Sequence, residues 1–348
     1  MMTLDMPLLA ETARRLMADG KGLLAMDEST GTCNRRFGMA GIPQTIEFRR
    51  AYRELLVCAP GLGRTISGAI LVDETLHQRT RADTLFTQVL EDAGIVPGIK
   101  VDLGAQPLAG HPGERVTEGL DGLRARLQGY FAMGARFAKW RAVFSIGGGA
   151  PGRACIVANA HALARYAALC QEASLVPIVE PEVLMDGAHS LADCSETTHR
   201  VLHNVFDQLD VQGVVLEAML LKPNMVLPGT DCPVQPDSDA VAEATLACLR
   251  RAVPAAVAGI AFLSGGQSAA LATARLNAMH RARCGSGAQV RYPWPLTFSF
   301  GRALQQPALA AWAGNDAHRV AAQRALLHRA ACNGAALRGE YDAAMEAT

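Results

Sequence analysis

Lysine is nearly missing from this sequence. Of 33 basic residues only four are lysine, Lys21, Lys100, Lys139 and Lys222, and the rest are arginine. Aromatic residues are scarce as well, at 5%. Charge of a dominant sign is absent, because 33 basic residues face 33 acidic ones. That balance excludes a broad electrostatic footprint for nucleic acid or a membrane surface, so any anion site must be gathered locally. The nine cysteines show no CxxC spacing and their number is odd, which argues against a disulfide framework and for reduced thiols in the cytoplasm. No apolar run is long and clean enough to span a bilayer. Met1 to Ala10 lacks the basic start and apolar stretch of a signal peptide. The expectation is a soluble cytoplasmic globular protein.

What is present is a core-forming composition, half hydrophobic, on 348 residues. Barrels of alternating strands and helices are commonly somewhat longer than ~250 residues as one domain. Short apolar runs recur, each followed by a turn and a longer amphipathic stretch. The predicted strands are Gly22–Asp27, Ile66–Leu71, Ile95–Val101, Phe137–Ala142, Val176–Glu180, Val214–Leu221, Ile260–Ser264 and Leu296–Ser299. Helices are predicted at Glu47–Cys58, Gly119–Met133, His161–Ala173, Ser195–Asp210 and Asp239–Val253. Alternation of this kind predicts an α/β fold, a single (β/α)8 TIM barrel over 1–348, with alanine-rich helices over about 303–348 as a C-terminal cover. A doubly wound open sheet is the alternative, but G-x-G-x-x-G is missing after the first strand.

Ionisable residues stand where these strands should be apolar. Asp27 ends the first, Lys100 and Asp102 end the third, Lys139 and Arg141 lie in the fourth, and Glu180 and Glu182 end the fifth. Glu217 and Lys222 fall in the sixth. Residues two apart share one face of a strand, and in a barrel that face is the interior near the C-terminal rim, where barrel enzymes keep their sites. Burying such charges unpaired costs several kcal/mol each, so a functional cluster is favoured over a purely stabilising ion-pair network. Arginine cannot supply a neutral amine; lysine can, if a second cation or a dry pocket lowers its pKa. Lys139 and Arg141 are candidates to do so for Lys222. Paired carboxylates suit the proton transfers of attack on a ketone, and Asp27 suits removal of a hydroxyl proton during carbon–carbon cleavage.

Two loops read as anion sites. Ser264, Gly265 and Gly266 offer a hydroxyl and exposed N–H groups after the seventh strand, and Gly301 and Arg302 follow the eighth. Opposite them, Ser29, Thr32, Arg35 and Arg36 follow Asp27. Two facing anion loops suggest a substrate with a phosphate at each end. A metal site is the competing idea, since His199 and His203 are four apart on a helix with His189 nearby. The pair lacks the Glu of H-E-x-x-H and belongs to the outer ring of helices, so a solvated face is the expectation and no metal is assigned.

Leu24-Ala-Met-Asp-Glu-Ser-Thr-Gly31, Gly98-Ile-Lys-Val-Asp102, Phe137-Ala-Lys-Trp-Arg141, Val176-Pro-Ile-Val-Glu-Pro-Glu182, Leu220-Leu-Lys-Pro-Asn-Met225, Phe262-Leu-Ser-Gly-Gly-Gln267 and Leu296-Thr-Phe-Ser-Phe-Gly-Arg302 closely resemble class I fructose-bisphosphate aldolases, in order, from about Glu11 to about Tyr341. The resemblance implies reversible cleavage of fructose 1,6-bisphosphate through a Schiff base on Lys222. It implies Glu180 as acid and base with Glu182 supporting it, Lys139 stabilising charge, and Asp27 taking the C4 hydroxyl proton. Arg141 would line the pocket. Ser264, Gly265, Gly301 and Arg302 would hold one phosphate; Ser29, Thr32, Lys100 and Arg36 would approach the other. No metal or cofactor is implied, and a homotetramer is. Other phosphorylated ketoses (fructose 1-phosphate, sedoheptulose 1,7-bisphosphate) and an inactive scaffold are the alternatives. The sequence departs from the family at its C-terminus, where animal members end in a catalytic tyrosine and this chain ends Met345-Glu-Ala-Thr348. Its last tyrosine, Tyr341, is expected to be structural. Thr32 and Arg35 replace a common serine and lysine, and Leu103 replaces a lysine beside Asp102.

Overall fold

The structure is a computed structural model that describes residues 4–284 and 292–347, with residues 283 and 284 described by backbone alone. The strands are β1 (Gly22–Ala25), β2 (Ile66–Leu71), β3 (Val96–Lys100), β4 (Gly104–Pro107), β5 (Arg115–Glu118), β6 (Phe137–Phe144), β7 (Val176–Val183), β8 (Leu220–Leu221), β9 (Gly259–Phe262) and β10 (Leu296–Phe300). Eight close a parallel barrel in the order β1-β10-β9-β8-β7-β6-β3-β2, while β4 and β5 form a separate antiparallel hairpin. The helices are α1 (Met6–Leu16), α2 (Thr30–Met39), α3 (Ile46–Val57), α4 (Asp73–Leu76), α5 (Phe86–Asp92), α6 (Leu123–Ala132), α7 (Arg153–Glu172), α8 (Leu191–Val211), α9 (Ser238–Ala252), α10 (Ala269–Cys284), α11 (Arg302–Trp312) and α12 (Arg319–Ala336). This is the expected (β/α)8 barrel. None of the described helices is long and apolar enough to cross a membrane.

The period of two along the strands divides the core into two clusters. Leu23 and Ala25 of β1, Val96 of β3, Phe137 of β6, Val176 and Ile178 of β7 and Leu220 of β8 form the inner one with Leu9, Ala13 and Leu16 of α1. Their neighbours Leu24, Ile99, Ala138, Val179 and Leu221 belong to the outer cluster beneath the helices. The interior thus begins as a dry apolar floor, closed by α1. The Phe137 ring crosses that floor so closely that a Cβ on Gly98 would meet it at 2.2 Å, which is why β3 carries glycine there. Counting upward by two from the floor residues reaches Asp27, Lys100, Lys139, Glu180 and Lys222. The same alternation that buries the floor aims the charges inward above it.

Several expected boundaries move. The sixth strand of the barrel is not Val214–Leu221 but Leu220–Leu221, preceded by a 3-10 turn at Leu216–Ala218. The cause is Gln171 of α7: its amide receives the Val215 N–H at 3.0 Å and donates to the carbonyls of Val215 and Ala218 at 2.8 and 3.2 Å. A side chain satisfies the backbone that a neighbouring strand would otherwise pair. Glu217 accordingly lies exposed on that turn, outside the interior. Asp27, Asp102 and Ser264 stand just past their strand ends rather than within them. Helices α7 and α8 start earlier than expected, α8 at a capping box of Ser190 and Asp193. The plug α1 and the β4–β5 hairpin were not anticipated. The 303–348 segment supplies α11 and α12, which pack on each other and, through α12, on α10 and α3.

Candidate active site

Four of the inward charges form one chain of contacts across the barrel mouth. Lys222 Nζ lies 3.0 Å from Glu180 Oε1, Glu180 Oε2 lies 3.0 Å from Lys139 Nζ, and Lys139 Nζ lies 2.6 Å from Asp27 Oδ2. Lys139, Glu180 and Lys222 are each 3% exposed, so the two cations and two carboxylates neutralise one another almost without water. Sequence reasoning offered Lys139 and Arg141 as cations near Lys222. The structure brings Lys139 and Lys222 onto the two oxygens of one carboxylate, Glu180, while Arg141 is bound to Glu182. Lys222 therefore has a carboxylate in contact at 3.0 Å, within reach for proton transfer. Pro223 and Asn224 hold the lysine's segment: Lys222 N donates to Val179 O at 2.8 Å, and buried Asn224 accepts from Val183 N at 2.9 Å and donates to Thr198 Oγ1 at 3.2 Å.

The electrostatics follow from this pairing. Burial alone would raise the pKa of Asp27, but the charges of Lys139 and Lys222, with Lys100 beyond, outweigh it and hold the carboxyl below its usual range. Glu180 is also lowered, burial opposing and Lys139, Lys222 and Arg141 prevailing. Lys139 is raised: its burial is overcome by Asp27, Glu180 and Asp102, so it remains a cation. Arg141 points toward the rim and is bound to Glu182 through Nε rather than to the lysines. Asp102 joins the rim to the interior, contacting Lys100 at 2.7 Å and accepting from Arg141 N and Gly104 N, each at 3.2 Å.

The two anion loops differ. At one end Gly265 and Gly266 adopt φ of +53° and +85°, a left-handed pair in a turn closed by Gln267 N donating to Ser264 O at 3.0 Å. A Cβ on Gly266 would lie 3.5 Å from Arg302 Nη2, so the guanidinium stands over this turn. Gly301 begins α11 without a side-chain cap, leaving the first N–H groups of that helix open. Ser264 is largely buried beside them. The opposite end was expected to be a loop and is the start of α2. Ser29 caps that helix, accepting from Thr32 N at 3.3 Å and donating to Thr32 Oγ1 at 3.1 Å. Arg36, named as a phosphate ligand, is bound to Glu28. Glu28 also contacts Arg53 at 2.7 Å and accepts from Gln305 Nε2 at 2.9 Å. Sequence reasoning missed Glu28 and Gln305 because neither lies on the inward period; the Asp27-Glu28 doublet was the one available sign.

The histidines stay outside. His199 and His203 stack on α8 with rings 6.3 Å apart, and His203 stands 3.7 Å from Asp207. Among the described residues no group of three or more His, Cys, Asp or Glu is arranged to hold a metal. Tyr341 donates to Glu346 Oε1 at 2.7 Å, and Glu346 is clamped by buried Arg329 of α12. Its backbone is pinned by Asn277 of α10 at 3.0 Å. Thr348 lies outside the described residues.

Residues 8–348 match the model of the family described as fructose-bisphosphate aldolase class-I. A probable class 1 fructose-bisphosphate aldolase of Xylella fastidiosa is 55% identical, over 96% of this chain and 98% of its own. A cytosolic fructose-bisphosphate aldolase of Arabidopsis thaliana is 50% identical over 96% and 91%. The solved fructose-bisphosphate aldolase of Plasmodium falciparum superposes with a TM-score of 0.93 at 46% identity, covering 97% of this chain and 95% of that one.

Proposed function

The chain belongs to the class I fructose-bisphosphate aldolase family, and on that premise we propose how its residues divide the work. It cleaves fructose 1,6-bisphosphate to dihydroxyacetone phosphate and glyceraldehyde 3-phosphate, a step of glycolysis. The observation that carries the assignment is the 3.0 Å contact of Lys222 Nζ with Glu180. Glu180 takes a proton from Lys222, and the neutral amine attacks the C2 ketone. One proton of the attacking nitrogen passes to the C2 oxygen, and Glu180 then returns its proton to that hydroxyl, which leaves as water and gives a protonated Schiff base. Glu182 and Arg141 fix the rim beside it. Asp27 accepts the C4 hydroxyl proton while the C3–C4 bonding pair moves toward the iminium carbon, and the aldehyde departs. Lys139 stays charged between Asp27 and Glu180 and balances both carboxylates.

The cleavage step also helps its own base. The Lys222 charge is one of the influences that hold Asp27 down. When the iminium becomes a neutral enamine, that charge vanishes, and Asp27 becomes more basic as its proton arrives. Ser264, Gly265, Gly301 and Arg302 would hold the phosphate retained with the enamine; Ser29, Thr32, Lys100 and Arg36 would face the departing one. The proposal extends to a metal-independent reaction in a cytoplasmic homotetramer, which the family supports; full activity in chelator and a sedimentation mass of four chains are the expected readings.

The deciding experiment is borohydride reduction in the presence of dihydroxyacetone phosphate and chelator, followed by peptide mass spectrometry. With only four lysines in the chain the readout is clean. Lys21 is already committed, donating to Gly63 O at 2.7 Å. An adduct on Lys222 is expected; a folded sample with no lysine adduct would sink the Schiff-base mechanism.

A further inference from the structure

Four arginines in the described chain are buried: Arg49, Arg53, Arg275 and Arg329. Three have a carboxylate in contact, Glu74 for Arg49, Glu28 for Arg53 and Glu346 for Arg329. Arg275 of α10 is the exception. It is 4% exposed, its Nε has no acceptor among the described residues, and burial lowers its pKa. Its polar contact is with the amide of Gln267, to which Nη1 donates at 2.8 Å. Gln267 in turn donates through Nε2 to Ser264 O at 2.9 Å, closing the Ser264–Gly265–Gly266 turn from behind. A guanidinium buried without a counter-ion is costly, and the cost falls when an anion comes close in the same low-dielectric region.

We propose that Arg275 is a positioning residue for the phosphate end of the site, setting the Ser264–Gly266 turn through Gln267 and supplying a buried positive charge whose counter-ion is the phosphate of the bound substrate. The inference rests on the phosphate assignment made above for Ser264, Gly265, Gly301 and Arg302. Arg302 is exposed at the front of the turn, whereas Arg275 is buried behind it. The chemistry it selects is a substrate with a dianionic group on the carbon next to the ketone.

The test compares Arg275→Gln, which loses the charge but keeps a donor for Gln267, with Arg275→Lys, which keeps the charge. Lys222 is trapped by borohydride across a concentration series of dihydroxyacetone phosphate, and separately of dihydroxyacetone. Arg275→Gln is expected to raise the half-saturating dihydroxyacetone phosphate about tenfold, ~1.4 kcal/mol, and to leave the dihydroxyacetone series within about twofold. Arg275→Lys should stay near the parent protein in both. Because an uncompensated charge is removed, Arg275→Gln should melt at or above the parent temperature in phosphate-free buffer, and inorganic phosphate should raise its melting temperature less. An unchanged dihydroxyacetone phosphate series, an equal shift in both series, or failure of the neutral variant to fold would each overturn the inference. Arg302→Ala runs in parallel: if it too leaves the dihydroxyacetone phosphate series unmoved, the phosphate assignment itself has failed.

Discussion

The two ends of the site hold similar residues in opposite electrostatic states. At the Ser29–Arg36 end two cations are already answered, Arg36 by Glu28 and Lys100 by Asp102, while Arg35 is exposed. Ser29 and Thr32 spend hydrogen bonds on the start of α2. At the Ser264–Arg302 end no carboxylate among the described residues pairs with Arg302 or Arg275, the start of α11 has no side-chain cap, and the turn carries two left-handed glycines. A phosphate arriving at the first end must compete with carboxylates, whereas one arriving at the second fills a standing deficit of negative charge. In an aldol cleavage one phosphate stays on the enzyme-bound fragment and the other leaves with the aldehyde. The difference matches that division: the unpaired end suits the retained fragment and the paired end suits the departing one.

Four experiments would break or sharpen this contrast. The largest effect is expected at Glu28, which answers both Arg36 and fully buried Arg53. Glu28→Gln leaves Arg53 without its anion and should cost ~3–5 kcal/mol of stability in urea unfolding. A loss under ~1 kcal/mol would mean the paired end is not held by that carboxylate. Next comes Arg302→Ala, which removes the unpaired guanidinium. The KM for fructose 1,6-bisphosphate and for fructose 1-phosphate should rise together by about 100-fold, ~2.7 kcal/mol, with equal kcat for both. A rise confined to the bisphosphate would exchange the two ends.

Lys100→Met is smaller and selective. Its partner Asp102 keeps the N–H groups of Arg141 and Gly104. The KM for the bisphosphate should rise about tenfold, with fructose 1-phosphate changing less than about twofold. Equal effects on both substrates would show that Lys100 serves the interior cluster and not the distal phosphate. The smallest effect is in pH. Asp27 and Glu180 are lowered in the folded state, while unfolded Asp and Glu titrate near 3.9 and 4.3. Near pH 4 the unfolded chain therefore binds more protons, so the stability these carboxylates contribute is complete above about pH 5 and lost as acid carries them through their folded values. Urea midpoints should stay flat from pH 8 to 5 and fall below 4. In Lys139→Met the acid fall should be at least ~1 kcal/mol smaller, and an unchanged fall would show that Lys139 does not set those carboxylates.

Much of the site was legible before the fold. Asp27, Lys139, Glu180 and Lys222 interrupt apolar strands at positions that continue the inward period, and the structure brings all four into contact. The barrel followed from the alternation of short apolar runs with amphipathic stretches. The plug α1 was not legible, because an amphipathic N-terminal segment carries no mark of which barrel end it will close. The short β8 was hidden for a related reason, since the residue that replaces its pairing, Gln171 on α7, lies 44 positions from Val215 in the sequence.

By itself the sequence determined which side chains could act: four lysines against a background of arginine, carboxylates at inward positions, and glycines at two anion loops. Only the tertiary structure decided which charges meet. That Glu180 bridges Lys222 and Lys139 is a consequence of strand register and barrel closure; Glu28 claims Arg36 where α2 begins, and no carboxylate among the described residues pairs with Arg275. The physical reason is range. Periodicity assigns a side chain to a face from its immediate neighbours, whereas the ion pairs of Lys139 with Asp27 and Glu180 join residues 112 and 41 positions apart, and such a partner is in place only once the barrel has closed.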